Sequence, residues 1–349
     1  MTATLAPPRE PGRQAPASSR RLTERVFRVR EFGIIAVLIV FVAVTASIQP
    51  RFLNGTNIQF VLVDATIFEL LALSETIVVI ARHVDLSVGS VLGIAAYLSA
   101  HLLASSPGLP IAVIFLVGLG IGLGFGVING LMVSIGRVPS LVVTLATLYI
   151  IRGIDILVVG GGQVVPASYP PAFLNMSKAT VIGIPDLAIA VAALVAAGAY
   201  FLRTFRSGRE LYAIGSNPEA ARLAGIPIGR RVFAAFAISG AIAGVAGVLW
   251  ASRYGTVDST AGTSYELQVI AAVVVGGVAI FGGSGSVTGA AIGALLLQTI
   301  NSALYVLGVS PNWDEAIAGF LLILAIVLDR FISLRLTASL RKRSARRGS

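Results

Sequence analysis

The sequence predicts an all-α, polytopic membrane helix bundle, and three observations predict it. The 349-residue chain is 56% hydrophobic and only 12% charged, against about 25% charged residues in soluble domains, and its mean hydropathy is +0.90. Apolar runs of roughly 20 residues, the length that crosses a hydrocarbon core, recur along it. The basic residues gather at the ends of those runs.

Taken in order, residues 1–30 are rich in Pro, Arg and Ser and lack the apolar core and cleavage site of a secretory signal. They read as a disordered basic cytoplasmic tail. About ten spans follow, near 32–48, 58–80, 86–104, 110–134, 139–159, 185–202, 232–250, 267–281, 287–308 and 315–332. They form a single transmembrane domain, 31–333, with a charged loop at 203–231. A second basic tail, 334–349, ends the chain. The run at 267–281 is short, and reads either as a full span or as a broken helix. Gly160–Ile184, with Pro166, Pro170 and Pro171, reads as a loop over the outer mouth. Ten spans place both termini on one side. With the termini inside, 22 of the 26 Lys and Arg are cytoplasmic; only Arg51, Lys178 and Arg253 fall outside, and Arg152 lies within a span. That asymmetry is the positive-inside signature, and it puts the 203–231 loop in the cytoplasm.

The loop holds a short, well-punctuated helix over Pro218–Ala224. Asn217 suits the N-cap and Pro218 the first helical position, where a missing N–H costs nothing. Glu219 in the first turn complements the helix dipole, and Gly225 suits the left-handed residue that ends the helix. A helix of about two turns is unstable alone and needs a partner surface.

Within the spans, Gly118, Gly122, Gly126 and Gly130 recur every four residues and form one smooth face for close helix approach. Gly240/Gly244 and Gly289/Gly293 repeat the device on a smaller scale. Gly89-Ser-Val-Leu-Gly and Gly285-Ser-Val-Thr-Gly echo each other, as in a duplicated architecture. Asp85 or Ser87 can cap the helix after Arg82-His83, either as simple helix punctuation or as an inner gate. Glu69, Glu75, Thr147, Arg152 and Asp155 also fall within spans, and Arg152 and Asp155, three apart, can neutralise each other. Uncharged Asn129, Thr144, Gln298 and Asn301 suit transient hydrogen bonds to a polar neutral solute, and equally suit bundle glue. With Asp85 they are the candidate pathway or gate residues.

Composition and motifs exclude much else. There is no Cys, and His83 and His101 are the only histidines, so no metal site is expected. Positive charge at span ends is topology, not a nucleic-acid patch. The turn Gly282-Gly-Ser-Gly-Ser-Val is no phosphate loop, since no G-x-x-x-x-G-K-[ST] occurs, nor G-x-S-x-G, H-E-x-x-H or C-x-x-C. A chain with no energy-coupling or catalytic site of its own is part of a larger assembly, or a passive or ion-driven carrier. For the carrier, Glu69 and Glu75 are the only near coupling carboxylates.

Gly208-Arg-Glu-Leu-Tyr-Ala-Ile-Gly-Ser-Asn-Pro-Glu-Ala-Ala-Arg-Leu-Ala-Gly-Ile resembles the cytoplasmic loop of ABC-importer permeases of the ribose and xylose branch. Val84-Asp-Leu-Ser-Val-Gly-Ser, Val138-Pro-Ser-Leu-Val-Val-Thr-Leu-Ala-Thr with Arg152-Gly, and Tyr265-Glu-Leu-Gln-Val-Ile-Ala-Ala-Val-Val-Val-Gly-Gly running to Phe281-Gly-Gly-Ser-Gly-Ser-Val resemble the same branch. They come in family order over roughly residues 60–330. Arg253-Tyr-Gly-Thr-Val-Asp and Gly276-Gly-Val-Ala-Ile-Phe look most like the rhamnose type. Arg82 and His83 depart from the small residues many members carry there. The resemblance implies a non-enzymatic permease subunit in the bacterial plasma membrane, paired with a second copy or paralogue. Two ABC ATPase subunits below would hold ATP and Mg, with no cofactor on this chain. A periplasmic or lipid-anchored sugar-binding protein would dock above. It further implies that Pro218–Ala224 is the coupling helix, with Gly208, Gly215, Asn217, Pro218, Glu219, Ala220, Ala221 and Gly225 matching the loop pattern and Arg222 available for a charged contact. A branched-chain amino-acid permease of the same architecture is the alternative within the family's reach.

Overall fold

A computed structural model describes residues 17–310 and 312–327, with side chains from Phe32 onward. Residues 1–16 of the first basic tail, residue 311, the end of the last expected span at 328–333 and the whole second tail, 334–349, lie outside the described residues. The first helix, α1 (Ala17–Ile48), begins inside the stretch read as tail. It is followed by α2 (Gly55–Ile80), α3 (Val88–Ser105), α4 (Ile111–Ser134) and α5 (Ser140–Val159). Next come short α6 (Pro171–Met176), then α7 (Asp186–Thr204), α8 (Arg206–Ser216), α9 (Pro218–Leu223), α10 (Ile228–Tyr254), α11 (Tyr265–Val275) and α12 (Val287–Val306). A last helix, α13, covers 313–327. Among the described residues six helices are long and apolar enough to cross a membrane: α3, α4, α5, α7, α10 and α12.

The run at 267–281 is not a full span. Its helix, α11, has 11 residues, about 16 Å at 1.5 Å per residue. It stops because Gly276 is wedged against α12, where a Cβ would lie 2.5 Å from Gly289 O, and Gly277 then turns at φ +90°. The segment read as a loop at 160–184 holds more regular structure than its prolines suggest. It carries α6, whose Phe173 is fully buried, and a two-residue hairpin pairing Thr180–Val181 with Ile184–Pro185.

The core lies where α2, α3, α10, α11 and α12 meet, around Leu71, Leu92, Phe236 and Val273. The glycine ladder of α4 packs on α10 as its four-residue spacing requires. A Cβ on Gly122 would fall 2.0 Å from Gly240 O, and one on Gly244 2.0 Å from Gly118 O. Residues 255–264 run as non-helical backbone into the bundle, where Gly262 meets Gly89 of α3. Irregular backbone at such depth needs partners for its carbonyls. Arg152 supplies them, donating from Nη1 to Ser259 O (3.1 Å) and Ala261 O (2.8 Å) while lying 3.7 Å from Asp155.

Candidate functional site

The 203–231 segment folds as two helices, not one. In α9, Ala220 N donates to Asn217 Oδ1 at 3.1 Å, and the end is closed by Ile226 N to Ala221 O and Gly225 N to Arg222 O, with Gly225 at φ +75°. This is the capped, left-handed termination that the residues predict, one residue shorter than Pro218–Ala224. Ala221 points inward. Glu219 and Arg222 pair with each other on the exposed face, beside Ala220 and a Leu223 that is 89% exposed.

The preceding helix, α8, is amphipathic and is the part sequence reading missed. Leu211 and Ile214 enter the core. Buried Glu210 accepts from Arg231 of α10 at 2.5 Å and from Arg206 at 2.8 Å. Those two guanidinium hydrogen bonds, Arg231's first, hold its carboxyl below the usual carboxylate range. Gly208 and Gly215 both pack closely on backbone within the chain. Gly208 lies against Leu202, and Gly215 sits where a Cβ would be 1.9 Å from Ile80 O and 2.4 Å from Gly283 N.

Gly215 thereby touches both places where the helical path is interrupted, the turn after α2 and the turn after α11. Gly283 N donates to Ile80 O at 2.9 Å, and Tyr212 OH donates to Gly285 O at 3.0 Å. The breaks before α3 and before α12 are thus joined to each other and to α8, whereas of the echoed glycine motifs Gly89–Gly93 lies within α3 and Gly285–Gly289 runs into the start of α12.

Beside the first break lies a buried polar cluster. Asp85 N donates to Glu75 Oε1 at 3.1 Å. Asp85 Oδ1 accepts from Ser87 N (3.0 Å) and Ser87 Oγ (2.6 Å), and Oδ2 from Ser239 Oγ (3.3 Å). Asn129 Nδ2 donates to Ser87 Oγ at 2.8 Å, and Thr144 Oγ1 to Ser140 O (2.9 Å) and Val84 O (3.3 Å). Asp85, Asn129 and Thr144 come together here; Ser87 takes the N-cap position of α3 without a side-chain cap bond, and Asp85 accepts from Ser87 just before the helix begins.

Gln298 and Asn301 do not join them. They line a cleft of about 570 Å³ at the opposite end of the bundle from α8, between α2, α10, α11, α12 and α13. There Arg253 donates to Asp64 from Nε (2.6 Å) and Nη2 (3.1 Å), and its guanidinium lies over Phe60. Gln268 Nε2 donates to Asp314 Oδ2 at 2.7 Å, and Trp250 Nε1 to Tyr265 OH at 3.2 Å. Asp64 was legible in Val61-Leu-Val-Asp, a carboxylate inside an apolar run. Its pairing with Arg253, 189 residues away, was not. Among the described residues no group of His, Cys, Asp and Glu could hold a metal ion.

Residues 57–326 match the family described as branched-chain amino acid transport system / permease component. The chain is 34% identical to the autoinducer 2 import system permease protein LsrC of Enterobacter sp. over 86% of each chain. It is 33% identical to the ribose import permease protein RbsC of Haemophilus influenzae over 88% of this chain and 94% of that one. It is also 34% identical to a probable ABC transporter permease protein, y4mJ, of Sinorhizobium fredii, over 86% and 89%. No solved structure matches.

Proposed function

We propose, since the chain belongs to the branched-chain amino acid transport system / permease component family, that it is the membrane-spanning permease subunit of an ATP-driven importer for a monosaccharide. The subunit sits in the bacterial plasma membrane with both termini cytoplasmic and pairs with a second permease. ATP and Mg are held by separate ATPase subunits, and a sugar-binding protein delivers the solute from outside. The relatives' printed names, ribose and autoinducer 2 import, favour this substrate class over branched-chain amino acids.

The observation that carries the reading is the wiring of α9. A two-turn helix presents Leu223, Glu219 and Arg222 outward, and its inner neighbour α8 is tied to both helix breaks. In this reading α9 is the coupling helix. Nucleotide-driven movement of the ATPase displaces α8, and α8 moves both breaks together.

The test is purification of tagged protein with its partners. Wild type should bring down an ABC ATPase in stoichiometric amount. Leu223→Asp removes an apolar side chain that only a partner would bury, worth about 1.5–3 kcal/mol. It should weaken that complex about 10- to 100-fold with the bundle unchanged. Retention of the ATPase with normal uptake would overturn the coupling role. ATP-dependent uptake of leucine, and of no sugar, would overturn the substrate class.

A further inference from the structure

We infer that the cleft between α2, α10, α11, α12 and α13 is a solute-binding site of the permease itself, built for a neutral polyhydroxyl compound of monosaccharide size. The inference rests on the importer reading above, and adds that this subunit selects its solute and does not only admit what is delivered.

Size is the first argument. About 570 Å³ lies inside the roughly 300–1,000 Å³ of small-molecule clefts. The second is charge. Among the described residues Arg253 is the one cation lining the cleft, and Asp64 engages it through both oxygens. The carboxylate of an amino acid would find no free cation there, and would face Asp314 as well. A neutral solute meets no such penalty.

Third, two amides on one face of α12 have unmet hydrogen bonds. Gln298 is 7% exposed, and its Nε2, a donor, is buried with no partner among the described residues. Three residues on, the acceptor Asn301 Oδ1 is buried and equally unpartnered. A buried polar atom without a partner is costly, and native proteins seldom keep one without a use. A hydroxyl group answers both, accepting from Nε2 and donating to Oδ1. Three residues apart, the two amides lie on one face of α12, where hydroxyls of one ring can reach both. Fourth, Phe60, Tyr254 and Tyr305 give aromatic walls against which the C–H face of a ring can pack.

The chain supplies its own reporter. Trp250 is bonded to Tyr265 of the cleft wall, and Trp313 adjoins Asp314; these are the only two tryptophans in the sequence. Purified full-length permease in nanodiscs should be titrated with D-ribose, D-xylose and L-rhamnose, with leucine as the zwitterionic control, following tryptophan emission. The expected result is a saturable change with at least one sugar and none with leucine. Gln298→Met, which keeps the shape and loses the amide, should weaken binding about tenfold or more. Tyr305→Ala, at a side chain 79% exposed in the chain and so harmless to folding, should weaken it about threefold or more. No saturable signal with any of the three sugars overturns the inference. So do two variants that titrate like wild type. Sugar uptake by the full assembly without cleft binding would sink this site and leave the importer reading standing, whereas uptake of leucine alone would sink that reading.

Discussion

Replacing Gly215 with alanine tests the joint between α8 and the bundle with a single methyl group. The added Cβ would lie 1.9 Å from Ile80 O and 2.4 Å from Gly283 N. Both are backbone atoms, so no side-chain rotation relieves the clash. Contact at an ordinary separation requires the backbones to part by roughly 1.5 Å. Overpacking of this kind costs about 1–3 kcal/mol. The hydrogen bonds from Gly283 N to Ile80 O and from Tyr212 OH to Gly285 O cross the same joint, and losing each costs about 1 kcal/mol. Roughly 3–5 kcal/mol set against one arrangement moves a two-state joint by about two to four orders of magnitude. The exposed face of α9 is untouched. The expected phenotype is therefore specific: Gly215→Ala inserts normally and still brings down its ATPase, but uptake falls by at least about tenfold while ATP hydrolysis continues. Ser216→Ala, at the exposed next position, is the control and should transport normally. Uptake close to wild type by Gly215→Ala with its ATPase bound would refute the relay through α8.

Two further predictions concern stability. Glu210, held below the usual carboxylate range by Arg231 and Arg206, gives a stabilisation fully present above about pH 4.3, the ordinary carboxylate value. It is lost as pH falls through the depressed value. Glu210→Gln should therefore melt below wild type at pH 7, and the gap should close on acidification well below pH 4; a gap that persists there would remove the ion pairs as its cause. On α4, Gly122→Ala should destabilise the detergent-solubilised protein by about 1–3 kcal/mol, because its Cβ would meet Gly240 O at 2.0 Å. Gly124→Ala, two residues along with nothing within 4 Å, should be neutral or gain up to about 1 kcal/mol of helix propensity, so equal melting of the two variants would contradict the packing.

What the sequence made legible was what is local or periodic. Gly118, Gly122 and Gly126 announce their packing face because a helix returns every four residues to the same side, and Asn217, Pro218 and Gly225 announce α9 because capping is decided within a turn. α8 was hidden by its own glycines. Gly208 and Gly215 read as loop residues, and only contact with Leu202, Ile80 and Gly283 makes them helical positions of close approach. Arg152 looked like the partner of Asp155, three residues on. Its main bonds go to carbonyls 107 and 109 residues away, in backbone whose descent into the bundle nothing nearby foretells. The cleft is harder still. Five helices contribute to it, and neither the pairing of Asp64 with Arg253 nor that of Gln268 with Asp314 has a local signature.

The two ends of the bundle are nevertheless joined by simple means. α2 carries Asp64 near one end and Ile80, against Gly215, at the other, 16 residues or about 24 Å apart along a rigid helix. α12 carries Gln298 and Asn301 at the cleft, and Gly285, in the turn two residues before its start, is held by Tyr212. α10 carries Arg253 in its last turn and Arg231, bonded to Glu210, in its first. Three walls of the cleft are thus anchored at their far ends to one helix, α8. A displacement of α8 therefore needs no chain of side-chain rearrangements to reach the cleft, because the helices themselves carry it. Coupling of this kind is reciprocal. In the proposed reading, a solute that draws Asp64, Arg253 and Gln298 together biases the position of α8, and through it the face that α9 offers to an ATPase partner.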